Sequence, residues 1–316
     1  MILEMLANYD LKIACHILCF NVDKFMPWVV ENCHPYVDRI YLALPSNSWG
    51  YCAKKIKNPT DLRSEGWLAK FPKCMILDGD WETEEQMRNS CLEMARFEGF
   101  HWLVIQDADE FYAETSWILL RNMLAIAPRY VKLIKTTWYT FWKHPSLVVV
   151  NRDGSIKSTN AGFALRVEKS SYFAKQRQSN WASPREIAVV DIPCFHYGYV
   201  LSDEEMLLKL STWGHVNDFN TQRWFSVKWI NWNSHVKYLH PIQPGTWQKA
   251  IYFPGEHPPF VANIFGTNFL ARDDFCNREL PPAKLVKNGL YDFQAHLKEL
   301  KLALGKLCRS FQRAHY

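Results

Sequence analysis

The first third of the chain alternates short apolar runs with helix-length segments, and that alternation constrains the fold more than any other feature. Residues 11–20 read as a buried strand and 23–34 as a helix. A second apolar run covers 38–44 and a short third one 74–77. Residues 83–97 carry helical periodicity, and 101–106 read as another strand. Apolar runs spaced by helices build parallel sheets with helices on both faces. Ligands of such sheets bind beyond the carboxyl ends of the strands.

The pattern changes after Pro128. Residues 130–137, 147–151, 163–167 and 188–192 read as strands joined by loops. A helix should start at Ser202, because Ser202 and Glu205 have the spacing of a capping box. Residues 217–282 are irregular and rich in proline and aromatics, and the chain ends in a patterned helix. This divides it into a ligand-binding unit at 1–215, an aromatic-rich region at 216–290 and a terminal helix at 291–316.

Composition narrows the function classes. A net charge of +5 suits an anionic ligand such as a nucleotide diphosphate and is weak for a dedicated nucleic-acid binder, so nucleic acid is not favoured. The 14 Trp, 14 Tyr and 19 Phe suit a surface that stacks bases or sugar rings. The 13 glycines are scattered, with no two a few residues apart. Phosphate-cradling loops need them close together. If this chain binds phosphate, a metal is expected to do what backbone amides do elsewhere. Nine cysteines without a CxxC pair read as reduced thiols rather than a zinc cage or a disulfide scaffold. The start of the chain has no signal-peptide pattern, and no run of about 18 apolar residues occurs. Together these point to a cytoplasmic protein.

The chemistry concentrates at residues 106–111, Gln-Asp-Ala-Asp-Glu-Phe, directly after an apolar strand. Asp107 and Asp109 can converge if the chain turns between them. Hard oxygen ligands suit Mg²⁺ or Mn²⁺, which bridge to substrate phosphates. A solvated turn or a helix cap is the plain alternative reading of two such aspartates.

This segment resembles the metal motif of GT-A glycosyltransferases, specifically the bacterial and viral relatives of family 2. Cys19-Phe20-Asn21, Trp28 and residues 37–41 (Val-Asp-Arg-Ile-Tyr) resemble that family's first strand, helix and second strand. Residues 81–89 are similar to the helix before its metal motif. Residues 195–199 (Phe-His-Tyr-Gly-Tyr), followed by Met206 and Lys209, resemble a late segment. The likeness spans about residues 11–215 and extends loosely to Trp247. It implies a GT-A fold, a nucleotide-sugar donor, a divalent cation (Mn²⁺ or Mg²⁺) and sugar transfer to an acceptor, by an inverting route in our reading. Phe20, Asn21, Arg88, Asn89 and Asp107 would contact the donor. Asp107, Asp109 and His196 would hold the metal. The acceptor is left open between a glycan, a lipid-linked sugar, a protein and a modified nucleic-acid base.

Other features carry competing readings. Arg88 can touch a donor or pair with Glu84 one helical turn away. An inverting transferase needs a general base beyond the metal motif, and Glu186, Asp191 and Asp203 fit by position. Residues 223–238 interleave Arg223, Lys228 and Lys237 with Trp224, Phe225, Trp229, Trp232 and Tyr238. A packed subdomain is favoured there over a stacking groove. Phe293, Leu297, Leu300, Leu304, Leu307 and Phe311 form an apolar stripe on a basic helix, and residues 292–313 should therefore cover the body, a second copy in a homodimer, or a membrane surface. Two further functions stay open: a nucleotidyl- or phosphotransferase using the same aspartates, and a non-catalytic glycan-binding protein on a GT-A fold.

Overall fold

The computed structural model describes residues 11–64, 66–159, 162–181, 183–266 and 291–292. The expected apolar stripe at 293–311 and the end of the aromatic-rich region lie outside these residues.

The four apolar runs of the first third become β1 (Ile13–Leu18), β2 (Arg39–Pro45), β3 (Cys74–Gly79) and β4 (Trp102–Asp107). They lie in the order β3-β2-β1-β4, all parallel. Their side chains alternate between two cores, as the pleat requires. Ile13, Cys15 and Ile17 of β1, Ile40 and Leu42 of β2, and Trp102 and Val104 of β4 face one core. Ala14, Tyr41, Ala43, Leu103 and Ile105 face the other. Helices α1 (Trp28–Cys33), α2 (Glu84–Phe97) and α3 (Glu114–Ile126) cover the two faces. Val29, Val30, Trp117 and Leu120 close the first core, and Met87, Cys91, Leu92 and Ala95 close the second. Burial on both faces is why these runs read as continuously apolar.

Helix α1 is shorter than the periodicity suggests. A proline inside a helix clashes with the carbonyl four residues back, so Pro27 prevents a helix from running through from Asp23; α1 starts at Trp28.

The second half adds β5 (Glu110–Tyr112), β6 (Leu133–Trp142), β7 (His144–Asn151), β8 (Lys157–Thr159), β9 (Ala164–Arg166), the small hairpin β10 (Phe173–Lys175) and β11 (Gln178–Ser179), β12 (Ile187–Tyr199) and β13 (Trp247–Tyr252). The main sheet runs β13-β7-β6-β9-β4-β1-β2-β3. β12 pairs in parallel with β6 and antiparallel with β5. This is the α/β architecture expected of the GT-A type: a parallel half, helices on both faces, and an antiparallel extension.

β12 is far longer than the expected strand at 188–192. Its register against β6 shifts between Val189 and Pro193, and that irregularity takes in the proline that would otherwise end the pairing. His196 therefore lies within the strand. Helix α4 (Asp203–Thr212) follows, with the expected box: Ser202 Oγ accepts from Glu205 N at 3.1 Å, and Ser202 N donates to a Glu205 carboxylate oxygen at 2.6 Å.

The basic-aromatic stretch is packed, as favoured. Trp224, Trp229 and Trp232 share a third core with Trp142, Leu147, Tyr199, Met206 and Leu210. Lys228 is buried, and its ammonium donates to Lys237 O at 2.7 Å and to Asp292. β13 joins the sheet against β7. The seven described cysteines outside the masked end are free thiols. Among the described residues no helix is long and apolar enough to cross a membrane.

Candidate active site

From β1 the chain moves outward to β2 and β3, then returns to β4 on the other side of β1. The crevice between the carboxyl ends of β1 and β4 is thus a topological switch point. Leu18 and Asp107 are neighbours across it. A cleft of about 400 Å³ opens there, which falls in the size range of small-ligand pockets, about 300–1,000 Å³.

The loop after β1 is held in place by side chains. Asn58 Nδ2 donates to Cys19 O (2.7 Å) and Pro45 O (2.8 Å), bridging the ends of β1 and β2. Its Oδ1 accepts from Asn21 N at 3.3 Å, and Thr60 Oγ1 accepts from Val22 N at 3.0 Å. Asn21 has φ 54°, the left-handed region that asparagine tolerates better than most residues. Phe20 and Asn21 both line the cleft.

Asp107 is the last residue of β4, Ala108 and Asp109 form the turn, and Glu110 begins β5. Asp107 and Glu110 share one arginine, and Asp109 takes a partner of its own. Arg88 Nη2 donates to Asp107 Oδ1 at 2.8 Å, and Arg177 Nη1 donates to Asp107 Oδ2 at 2.9 Å. Burial would raise the Asp107 carboxyl, but the two guanidiniums outweigh it and hold the group well below the usual carboxylate range. Arg177 also grips the buried Glu110 with Nη1 and Nη2 and donates to Ile105 O and Gly162 O. Burial pushes the Glu110 carboxyl up to about 7, against the pull of Arg177. Arg88 pairs with Glu84 as well and points Nη1 at Nε2 of the buried His16, 3.4 Å away. Burial, aided by Arg88, keeps His16 neutral.

Asp109 turns the other way. Lys209 Nζ, from α4, donates to Asp109 Oδ2 (3.1 Å) and to Gly198 O (2.8 Å). His196 Nε2 lies 3.6 Å from Asp109 Oδ1, and its ring stacks on Trp138 with centroids 5.2 Å apart. Burial lowers His196 to about 4, so the imidazole is neutral at pH 7. Asp109 Oδ1 and His196 Nδ1 are buried atoms without a hydrogen-bond partner among the described residues. Gly198 keeps this corner open. A Cβ there would lie 2.5 Å from His196 Nε2, 2.7 Å from Asp109 Oδ2 and 2.9 Å from Lys209 Nζ.

As a cation site this donor set fits in part. A neutral imidazole and a carboxylate oxygen without a partner face each other, and Mg²⁺ or Mn²⁺ sites often use only one or two protein carboxylates beside substrate phosphates. The mixed nitrogen and oxygen donors favour Mn²⁺ over Mg²⁺. Asp107 does not complete the expected trio, because both its oxygens are taken by arginines. Among the described residues no group of three His, Cys, Asp or Glu side chains is arranged to hold a metal.

The other sequence candidates divide cleanly. Arg88 lines the cleft. Asn89 instead forms two bonds with the backbone of Phe173 and fastens α2 to β10. None of the three candidate bases lines the cleft. Glu186 contributes its backbone oxygen to Lys132 and Leu133. Asp191 is exposed and bound to Lys157 at 2.8 Å. Asp203 accepts from Trp229 Nε1 at 2.8 Å at the start of α4. Only their place beyond residues 106–111 pointed to them, and a place in the chain does not set where a side chain lies. Sequence reasoning missed Arg177 and Trp138 altogether. Arg177 sits in the β10–β11 turn, where no periodicity marks it, and Trp138 reads as an ordinary strand aromatic.

Neither the comparison with protein-family models nor that with curated proteins finds a match. Among solved structures the chain is similar to TarS 1–349 of S. aureus, at 9% identity and TM-score 0.34, over 70% of this chain and 71% of that one. It is also similar to 4-diphosphocytidyl-2C-methyl-D-erythritol synthase of Anaerococcus prevotii (12% identity, TM-score 0.33, 62% and 94%). A third is the inositol-1-phosphate CTP transferase of T. maritima (12%, TM-score 0.32, 64% and 96%). These likenesses are distant, and the architecture described above stands on the chain's own strand order.

Proposed function

We propose that this protein transfers a sugar from a nucleotide-sugar to an acceptor, with a divalent cation held between the donor diphosphate and the pair Asp109 and His196. One observation carries the reading: Asp109 Oδ1, a buried oxygen without a hydrogen-bond partner among the described residues, faces the neutral His196 at 3.6 Å inside the switch-point cleft. A cation bound there would offset charge on the departing diphosphate.

The chain's own groups supply the rest. Asp107 is locked by two arginines yet keeps 32% of its side chain exposed, which suits a carboxylate that accepts hydrogen bonds from ribose hydroxyls. Lys209 adds a positive charge at the diphosphate end. Phe20 and Trp138 offer apolar faces for the base and sugar. Residues 216–266 bring His240, Ile242 and Trp247 to the lining of the cleft, and we assign that part of the lining to the acceptor.

A thermal-shift screen of UDP-, GDP-, CMP- and dTDP-sugars with and without Mn²⁺ tests the reading. A donor at 100 times its Kd should add about 2.7 kcal/mol to stability. Products then separate the rival chemistry: sugar transfer from a nucleotide-sugar releases the nucleoside phosphate, whereas nucleotidyl transfer from a nucleoside triphosphate to a sugar phosphate releases pyrophosphate. A protein that binds glycans and no nucleotide-sugar would contradict both.

A further inference from the structure

Transfer to a hydroxyl needs a base in the cleft, and every carboxylate lining it is already engaged. Glu84 and Asp107 are bound to Arg88, and Glu110 to Arg177. Asp109 is held by Lys209. Glu205 closes the α4 capping box and accepts from Lys24 Nζ at 3.2 Å. Of the lining histidines, His196 faces Asp109, and His240 Nδ1 accepts two backbone amides, from Ile242 and Gln243.

His215 is different. It lines the same cleft, and its Nδ1 lies 2.6 Å from Asp218 Oδ2. Asp218 N donates to His215 O at 3.0 Å, so the two residues close one turn. No hydrogen bond to His215 Nε2 is present among the described residues. The turn is fastened at two points: Gln176 Nε2 donates to Gly214 O, and Asn217 Nδ2 donates to Tyr51 O at 3.1 Å. The packing is close enough that a Cβ on Gly214 would lie 2.8 Å from Gln176 Nε2 and 2.9 Å from Glu84 Oε2. The Trp213 ring meets the imidazole edge to face at 5.5 Å. A carboxylate on Nδ1 fixes the tautomer that leaves Nε2 bare and stabilises the imidazolium formed when Nε2 takes a proton.

We infer that His215 is the general base of the transfer reaction and Asp218 its positioning residue. This rests on the glycosyltransfer reading above. The acceptor hydroxyl gives its proton to His215 Nε2 as its oxygen forms the bond to the anomeric carbon. The bond from that carbon to the diphosphate oxygen breaks, and the electron pair leaves with the nucleoside diphosphate. With water as acceptor the same steps hydrolyse the donor, so the base can be tested before the natural acceptor is known.

The experiment uses the full-length protein and whichever of the UDP-, GDP-, CMP- or dTDP-sugars shifts its melting temperature with Mn²⁺. Release of the nucleoside phosphate is followed against pH for the wild type, His215→Gln and Asp218→Asn. The expected result for His215→Gln is a loss of about 10²- to 10⁴-fold in turnover with the donor-induced melting shift retained. The acidic limb of the wild-type pH profile should vanish with it. Asp218→Asn should lower turnover while keeping that limb. If His215→Gln turns the donor over at the wild-type rate with the wild-type pH profile, the base assignment is overturned and the glycosyltransfer reading stands. If no nucleotide-sugar binds the wild type, the glycosyltransfer reading fails and the base assignment fails with it.

Discussion

Arg177 and Glu110 form a doubly hydrogen-bonded pair beside the cleft, with Arg177 Nη2 2.9 Å from Glu110 Oε2 and the carboxylate side chain 1% exposed. The same guanidinium braces Asp107, so one residue of a two-strand hairpin sets the position of two carboxylates on β4 and β5. Removing one partner of a buried pair strands the other, which costs about 3–5 kcal/mol. Arg177→Ala should lose stability of that order in urea unfolding. Without the guanidinium, the folded-state Glu110 carboxyl sits further above its unfolded value of 4.5. The wild type already holds this proton up to about pH 7 and the variant holds it higher, so the loss relative to wild type should grow as the pH rises above about 7. A loss under about 1 kcal/mol, typical of a surface pair, would count against the arrangement.

His240 gives the opposite pH dependence. Burial lowers it to about 3, and its Nδ1 accepts the amides of Ile242 and Gln243, so protonation there must break both bonds. A depressed folded-state value means that the unfolded chain binds the proton first. Stability from this group is complete above about pH 6.5 and drains away as the pH falls towards 3, with about 2 kcal/mol gone by pH 5. His240→Asn keeps an acceptor atom and removes the titration. Its unfolding free energy should fall less than the wild type's between pH 7 and pH 5, and identical slopes would refute the assignment.

Much of the frame was legible in the sequence, for a physical reason. β1, β2 and β4 bury both faces, so their apolar runs announce themselves without any partner being known. The turn at Asp107 and Asp109 was legible from its place after such a run, and Ser202 with Glu205 from cap spacing alone. Arg177 was not, because its meaning depends on Asp107, 70 residues away, and a β10–β11 turn leaves no periodic trace. The candidate bases were expected only from their place beyond residues 106–111, which says nothing of where the chain carries them. Asp191 lies five residues before His196 on β12, which places it about 16 Å away along the strand. The competing partners of Asp107 were equally hidden, since a sequence shows that an aspartate is present but not which cations fold against it.

Gly198 tests the geometry of the proposed cation corner. Its backbone is ordinary strand, so alanine strains nothing locally, yet the added methyl would fall within 3 Å of His196, Asp109 and Lys209. Lys209 can swing away, but His196 is stacked on Trp138. Gly198→Ala should keep its melting temperature within a few degrees and lose at least tenfold in Mn²⁺-dependent nucleotide affinity, read by thermal shift. Unchanged affinity would place the ligand elsewhere.

The central claim is that Asp109 and a donor diphosphate share a divalent cation. Mn²⁺ titration followed by electron paramagnetic resonance reads this without knowing the sugar or the acceptor. In the presence of UDP or GDP, the free-Mn²⁺ signal should fall on adding the wild-type protein. It should fall much less with Asp109→Ala, which removes charge from a cleft and not from the core, and whose circular dichroism should match the wild type. The account is contradicted if the wild type leaves the Mn²⁺ signal of the nucleotide unchanged, or if Asp109→Ala takes up the metal as well as the wild type does.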